Sequence, residues 1–224
     1  MPNLIVAGCS CSDRHEVKKS YGDYIAHSLG LNYIHEARSC GSNFTIWRVI
    51  TKMILDKKIT ANDIVLIQYT HVSRHEFISN VDPITPTQTI ECYNLDSWLV
   101  RYKTKAWEWV YNPHIKKFLK LYEKYMTPPG YSNEIFIVNN YNFQCMLAQN
   151  NINAFFLDIN VYMPEEFTVI PYFKNRVFTE QLTDKTLHNK PLPNEYSVDE
   201  LDRGHHLNKN GHKIIATEIL KFIY

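Results

Sequence analysis

Gly8-Cys9-Ser10 closes a short apolar run, and a serine on such a strand-terminal turn can attack an ester carbonyl once a base takes its proton. Near the other end of the chain, Asp202-Arg203-Gly204-His205-His206-Leu207-Asn208-Lys209-Asn210-Gly211-His212 gathers three of the ten histidines beside an aspartate. A loop nucleophile combined with a distant His–Asp pair is the constellation of acyl transfer. Cys9 and Cys11 share the first loop with Ser10 and offer a thiol as the alternative nucleophile. His205, His206, His212, Cys9 and Cys11 also invite a zinc reading, but neither the adjacent histidines nor Cys-x-Cys matches a standard ligand spacing, so no metal is expected.

The elements that must carry these groups follow from apolar patterning. Leu4 to Ala7 reads as a buried parallel strand ending at Gly8. Tyr21, Tyr24, Ile25, Ser28 and Leu29 recur at helical spacing, with Gly30 as C-cap. Asn32 to Ala37 reads as a second strand, Arg38 to Asn43 as a small-residue loop, and Phe44 to Leu55 as a buried helix. Asp63 to Tyr69 is the clearest strand, and Thr70 to Arg74 its loop. Strand, helix, strand, helix, strand predicts a three-layer flavodoxin-like α/β domain with a parallel sheet of about five strands. One domain spanning residues 1–224 is expected, with an insertion or lid around 76–130. Trp98 to Tyr125 has helical spacing, and Pro128-Pro129-Gly130 breaks it. Ile135 to Gln149 fits either period and is read as helix, because Ala154 to Ile159 is the better strand. Pro164 to Pro193 reads mostly as loop, and Ile214, Ile215, Ile219, Leu220 and Phe222 mark a closing helix.

In open α/β sheets ligands bind beyond the carboxyl ends of the strands, which here means the loops Gly8 to Ser12, Ser39 to Asn43 and Thr70 to Arg74. With Asp202 and His205-His206, these blocks resemble the SGNH (GDSL-type) hydrolases. The His-Leu-Asn-Lys-Asn-Gly-His run is similar to that family's last block, His-Pro-Asn-x-x-Gly. The resemblance implies an ester hydrolase that needs no metal or organic cofactor. Ser10 would be its nucleophile, the last-block histidine its base and Asp202 the carboxylate orienting that base. The backbone N–H groups of Ser10 and Gly41 would form the oxyanion hole together with a side-chain donor. Two residues depart from the family. Cys9 stands where Asp is usual, and Thr70 stands in the place of the Asn donor of the third block, with Asn43 or Gln68 as substitutes. Gln68 and Arg74 are further expected to face substrate. A small-molecule or carbohydrate ester, acetyl-like in its acyl group, is the expected partner. The alternative is a catalytically silent SGNH-like binding or structural module.

Composition narrows the classes further. Lys plus Arg is 24 against 23 for Asp plus Glu, a formal charge of +1, which argues against a nucleic-acid or acidic-lipid binder. No apolar stretch reaches the roughly 20 residues that span a bilayer. Five cysteines, an odd number without framework spacing, suit a reduced compartment, and Val6-Ala7-Gly8-Cys9 lacks the basic and apolar regions of a lipoprotein signal. A cytoplasmic protein is expected. Aromatic residues make up 13% of the chain, and Tyr102, Trp107, Trp109 and Tyr111 are suited either to sugar stacking or to a core. The wealth of Asn, Lys, Ile and Tyr points to an AT-rich genome, such as that of a virus or an AT-rich bacterium, and bears on no chemistry.

Two histidines compete for the base. Counting forward from Asp202, the family's Asp-x-x-His spacing selects His205; counting back from Asn208 and Gly211 selects His206. The downstream frame is tied to a helix that must pack its Ile214 and Ile215 face, whereas Gly204 lets the turn absorb an extra residue. His206 is therefore the predicted base. His206→Gln should lower kcat for a short-chain aryl ester by about 10³-fold, with a much milder loss in His205→Gln; equal mild losses would remove both from the mechanism.

Overall fold

The computed structural model describes residues 1–9, 12, 17–37, 41–70, 72, 75–79, 88–92, 100–101, 117, 121–122, 124–125, 130–157, 176–177 and 209–223. Five parallel strands, β1 (Asn3–Ala7), β2 (Asn32–His35), β3 (Ile64–Gln68), β7 (Asn153–Leu157) and β8 (Arg176–Val177), form one sheet in the order β2-β1-β3-β7-β8. A second, antiparallel sheet is made of β4 (His75–Ser79), β5 (Gln88–Cys92) and β6 (Val100–Arg101). The helices are α1 (Tyr21–Leu29), α2 (Asn43–Leu55), α3 (Tyr131–Gln149) and α4 (Lys209–Ile223).

Period-two alternation sorts the central strands between two cores. Leu4, Val6, Leu66 and Leu157 face α1 and α4, packing on Tyr21, Ile25, Ala26, Ile215, Ala216 and Ile219. Ile5, Ala7, Val65, Ile67 and Phe156 face the opposite way, onto Ile46, Trp47, Ile50 and Met53 of α2 and Phe136, Phe143 and Leu147 of α3. Strands covered on both faces must be apolar throughout, and Leu4 to Ala7 is completely buried. The result is the expected three-layer flavodoxin-like arrangement, with the strand order reversing between β1 and β3.

Local signals explain the helix ends. Gly30 takes the left-handed conformation at φ 63°, where a side chain would be strained, and so terminates α1. Ser42 caps α2 by accepting from the Thr45 amide at 3.1 Å. The helix read from Ile135 begins earlier, at Tyr131, directly after Gly130.

The middle of the chain departs from its sequence reading. The stretch assigned to an insertion or lid contains the antiparallel sheet, and Val100–Arg101 is a strand rather than the start of a helix from Trp98. Pairing with Glu91 and Cys92 of β5 decides its conformation, and helical spacing of aromatics carries no information about such a partner. Lys117, Leu121, Tyr122, Lys124 and Tyr125 are helical, as the spacing predicts. Arg176–Val177 is the fifth strand of the main sheet, inside a segment read mostly as loop; two residues are too few to show a period.

At the amino edge of the sheet, the buried Asp63 carboxylate joins the starts of β1 and β3. It accepts from the Asn3 amide at 2.7 Å and side chain at 2.8 Å, and from the Thr60 amide at 2.8 Å and hydroxyl at 2.9 Å. Burial by itself raises its pKa, but these hydrogen bonds outweigh burial and hold the carboxyl below its ordinary value. The linked stability is fully present above the unfolded carboxylate value of about 3.9 and is lost as pH falls through the lower folded-state value. Asp63→Asn should cost roughly 1–2 kcal/mol in urea unfolding at neutral pH. The gap between wild type and variant should narrow as pH drops below about 4.

Candidate active site

The carboxyl ends of β1 and β3 lie side by side, with Ala7 in register with Ile67. Just beyond them, Cys9 and Ser12 are joined by a turn in which the Ser12 amide donates to the Cys9 carbonyl at 3.0 Å. Both residues are buried, and both are bonded to Gln68, the last residue of β3. The Ser12 hydroxyl donates to Gln68 Oε1, while Gln68 Nε2 donates to Cys9 Sγ at 3.2 Å and to the Tyr69 carbonyl at 3.1 Å. The Tyr69 carbonyl fixes which end of the amide is which, since a flipped amide would set two oxygens against each other.

This packing leaves no room at Gly8. A Cβ there would lie 2.6 Å from Ser12 Oγ and 2.9 Å from Gln68 Cβ, so the glycine is required by the close approach of the Ser12 and Gln68 side chains rather than by an unusual torsion.

The second loop is fastened to the third. Asn43, the first residue of α2, donates from Nδ2 to the Thr70 carbonyl at 2.8 Å and accepts from the Thr70 amide through Oδ1 at 2.9 Å. Its side chain thereby substitutes for a neighbouring strand, and Thr70 is almost completely buried. Tyr69 points into the opposite core, stacked on Phe156 with ring centroids 5.7 Å apart and hydrogen-bonded through its hydroxyl to Asn140. Adjacent residues thus face a core and a loop junction, as strand alternation dictates.

The last helix is fastened to the first. His212, in the opening turn of α4, is buried and accepts from the Tyr21 amide through Nδ1 at 3.1 Å. It therefore carries its proton on Nε2 when neutral.

Of the residues singled out from sequence, Gly41, Asn43, Gln68 and Thr70 are all buried at this end of the sheet. Ser10, Arg74, Asp202, His205 and His206 lie outside the described residues, as does Cys11. Gln68, expected beside substrate, has no exposed surface, and its amide is committed to Cys9, Ser12 and Tyr69. One Asn43 amide proton is likewise committed to Thr70. Sequence reading missed Ser12 and Tyr21; a hydroxyl placed two residues beyond the candidate nucleophile was the only local hint. Among the described residues there is no group of three or more His, Cys, Asp or Glu side chains suited to hold a metal ion, and no helix is long and apolar enough to cross a membrane.

The whole arrangement aligns with solved ester hydrolases. An esterase, EstA, from a Pseudoalteromonas species matches 100% of this chain with 97% of its own, at TM-score 0.51 and 10% identity. The acetyl xylan esterase AlAXEase matches 99% of this chain with 100% of its own, at TM-score 0.52 and 12% identity. The lipase Lip_vut3 from a goat rumen metagenome matches 100% with 98% of its own, at TM-score 0.53 and 10% identity. The chain shares the fold of these proteins. No protein-family model and no curated protein matches the chain by sequence. In this fold the Gln68 and Asn43 junctions occupy the β1/β3 switch point, where ligand sites of open α/β sheets form.

Asn43→Ala would leave the buried amide and carbonyl of Thr70 without their partner. We expect it to lower unfolding free energy by on the order of 2 kcal/mol or more, read by chemical denaturation.

Proposed function

We propose that the protein is a serine ester hydrolase that works through an acyl-Ser10 intermediate. The observation that carries this reading is the fastening of three strand-end loops to one another by Gln68 and Asn43, in a fold shared with esterases and a lipase. A nucleophile on the first loop and oxyanion donors on the second and third need such mutual fixing, because preorganised donors act only when they are already in place.

In the proposed sequence of steps, Ser10 Oγ attacks the ester carbonyl carbon as His206 takes the serine proton. The oxyanion is held by the backbone N–H groups of Ser10 and Gly41 and by the Thr70 hydroxyl. Collapse breaks the bond to the alcohol, which leaves with the proton from His206. Water then attacks the acyl-Ser10 carbonyl, giving its proton to His206, and the carboxylic acid is released as Ser10 recovers its hydrogen. Asp202 orients the imidazole and stabilises its charged form. Arg74 orients the substrate. Asn43 holds Thr70 rather than donating in its place, and Gln68 orders the first loop. For substrate we propose a small acyl group such as acetyl, carried by a small alcohol or a carbohydrate; the similarity to an acetyl xylan esterase and the aromatic content support it.

A second reading, a silent binding module on the same fold, is favoured by one feature. Thr70 is a shorter donor than the Asn found in that place in the family, and it is almost wholly buried. Fluorophosphonate labelling separates the two. The wild type should be labelled at Ser10, and Ser10→Ala should lose both labelling and ester turnover while its melting temperature stays close to that of wild type. Turnover retained in Ser10→Ala but lost in Cys9→Ala or Cys11→Ala would assign the chemistry to a thiol. No labelling of the wild type would leave the binding module.

A further inference from the structure

Tyr21 is fully buried at the first position of α1, and it touches both halves of the molecule that the proposed reaction must bring together. Through its hydroxyl it meets Ser12 Oγ at 2.5 Å. The Ser12 proton already goes to Gln68 Oε1, which can only accept, so the proton between Ser12 and Tyr21 must come from the tyrosine. The chain of donors is therefore directional, from Tyr21 to Ser12 to Gln68, and on from Gln68 Nε2 to Cys9 Sγ and the Tyr69 carbonyl. Through its backbone amide the same Tyr21 donates to His212 Nδ1 on α4, with the two rings 6.0 Å apart.

The start of α1 is itself held in place. The Asp23 carboxylate accepts from the Ser20 amide at 2.8 Å and from its hydroxyl at 3.0 Å, and the Ser20 hydroxyl also meets Tyr33 Oη at 3.0 Å. Tyr21 thus hangs from a capped helix end, with one arm on the turn that brackets Ser10 in sequence and the other on the helix that directly follows His205 and His206.

Resting on the hydrolase reading above, the geometry points to Tyr21 as a positioning residue: it sets the nucleophile-bearing turn against the base-bearing segment. Neither the hydroxyl nor the amide need touch substrate. The role is to keep the distance between nucleophile and base within the narrow range that proton transfer tolerates.

Tyr21→Phe removes the hydroxyl arm and keeps the ring in its core. With a short-chain aryl ester, kcat should fall about 10- to 100-fold while KM stays within twofold and the pH profile keeps its shape. Ser12→Ala breaks the same arm from the other side without altering Tyr21. It should give the same split, and the double variant should be no slower than the worse single one. A kcat within twofold of wild type in both single variants, or a change confined to KM, would overturn the proposal. Alkylation of Cys9 by iodoacetamide, located by peptide mass spectrometry, gives a readout that needs no activity. Cys9 is buried and bonded to Gln68, so it should react at least tenfold faster in Tyr21→Phe and Ser12→Ala than in wild type. A wild type inert to ester and fluorophosphonate, with Cys9 deprotected in the variants, would remove the hydrolase reading and keep Tyr21 as the residue that fixes the turn. Equal Cys9 protection in all three proteins would overturn the role of Tyr21 whatever the activity.

Discussion

A carboxamide at the end of a strand covered on both faces has no water to turn to, and Gln68 is such a group. One acceptor and two donors must all find protein partners within a few ångströms. Ser12 supplies the donor, and Cys9 and the Tyr69 carbonyl supply the acceptors. Meeting that demand draws the chain after β1 down onto the end of β3 and excludes any side chain at Gly8. The loop that holds the candidate nucleophile is therefore shaped by the polar needs of the neighbouring strand rather than by its own sequence alone.

The same logic operates at both edges of the sheet with opposite chemistry. At the amino edge a carboxylate collects donors from Asn3 and Thr60, and a charge is tolerated because those donors surround it. At the carboxyl edge, the described groups that fasten the loops are an amide, a hydroxyl, a thiol and the backbone of Thr70. In the proposed hydrolase such neutral fastenings would suit a developing oxyanion, because a carboxylate beside it would oppose its charge. Cys9, where the resembled family usually carries Asp, fits this neutral edge.

The sheet core and its covering helices were legible because apolar residues recur with a period of their own. Leu4 to Ala7 and Ile64 to Ile67 are continuous runs, Gly30 marks the end of α1, and α4 shows its stripe at Ile215 and Ile219. The helix α3 has a weaker sequence signature because its inward face carries Asn140 and Gln144 among Phe136, Phe143 and Leu147, which blurs the stripe. The strands β5 and β6 were not legible, since their conformation is set by pairing between segments and runs of five and two residues show little period of their own. In the site, strand-end loops could be found by rule, and with them Asn43, Gln68 and Thr70. What could not be read was what these side chains bond to. The contact of Tyr21 with His212 joins residues from distant parts of the chain, and nothing local to either announces the other.

The core that contains Tyr21 has a further property, in time rather than in space. Its apolar face is built from β1 and α1, and is closed by Ile215, Ala216 and Ile219 of α4, which is synthesised long after both. Until α4 has left the ribosome, Leu4, Val6 and Leu66 are covered on that side by α1 alone, so this half of the domain cannot finish folding on the growing chain. The opposite core, made by α2 and α3, is complete earlier. The nascent protein therefore passes through a state with one finished face and one that α1 covers alone.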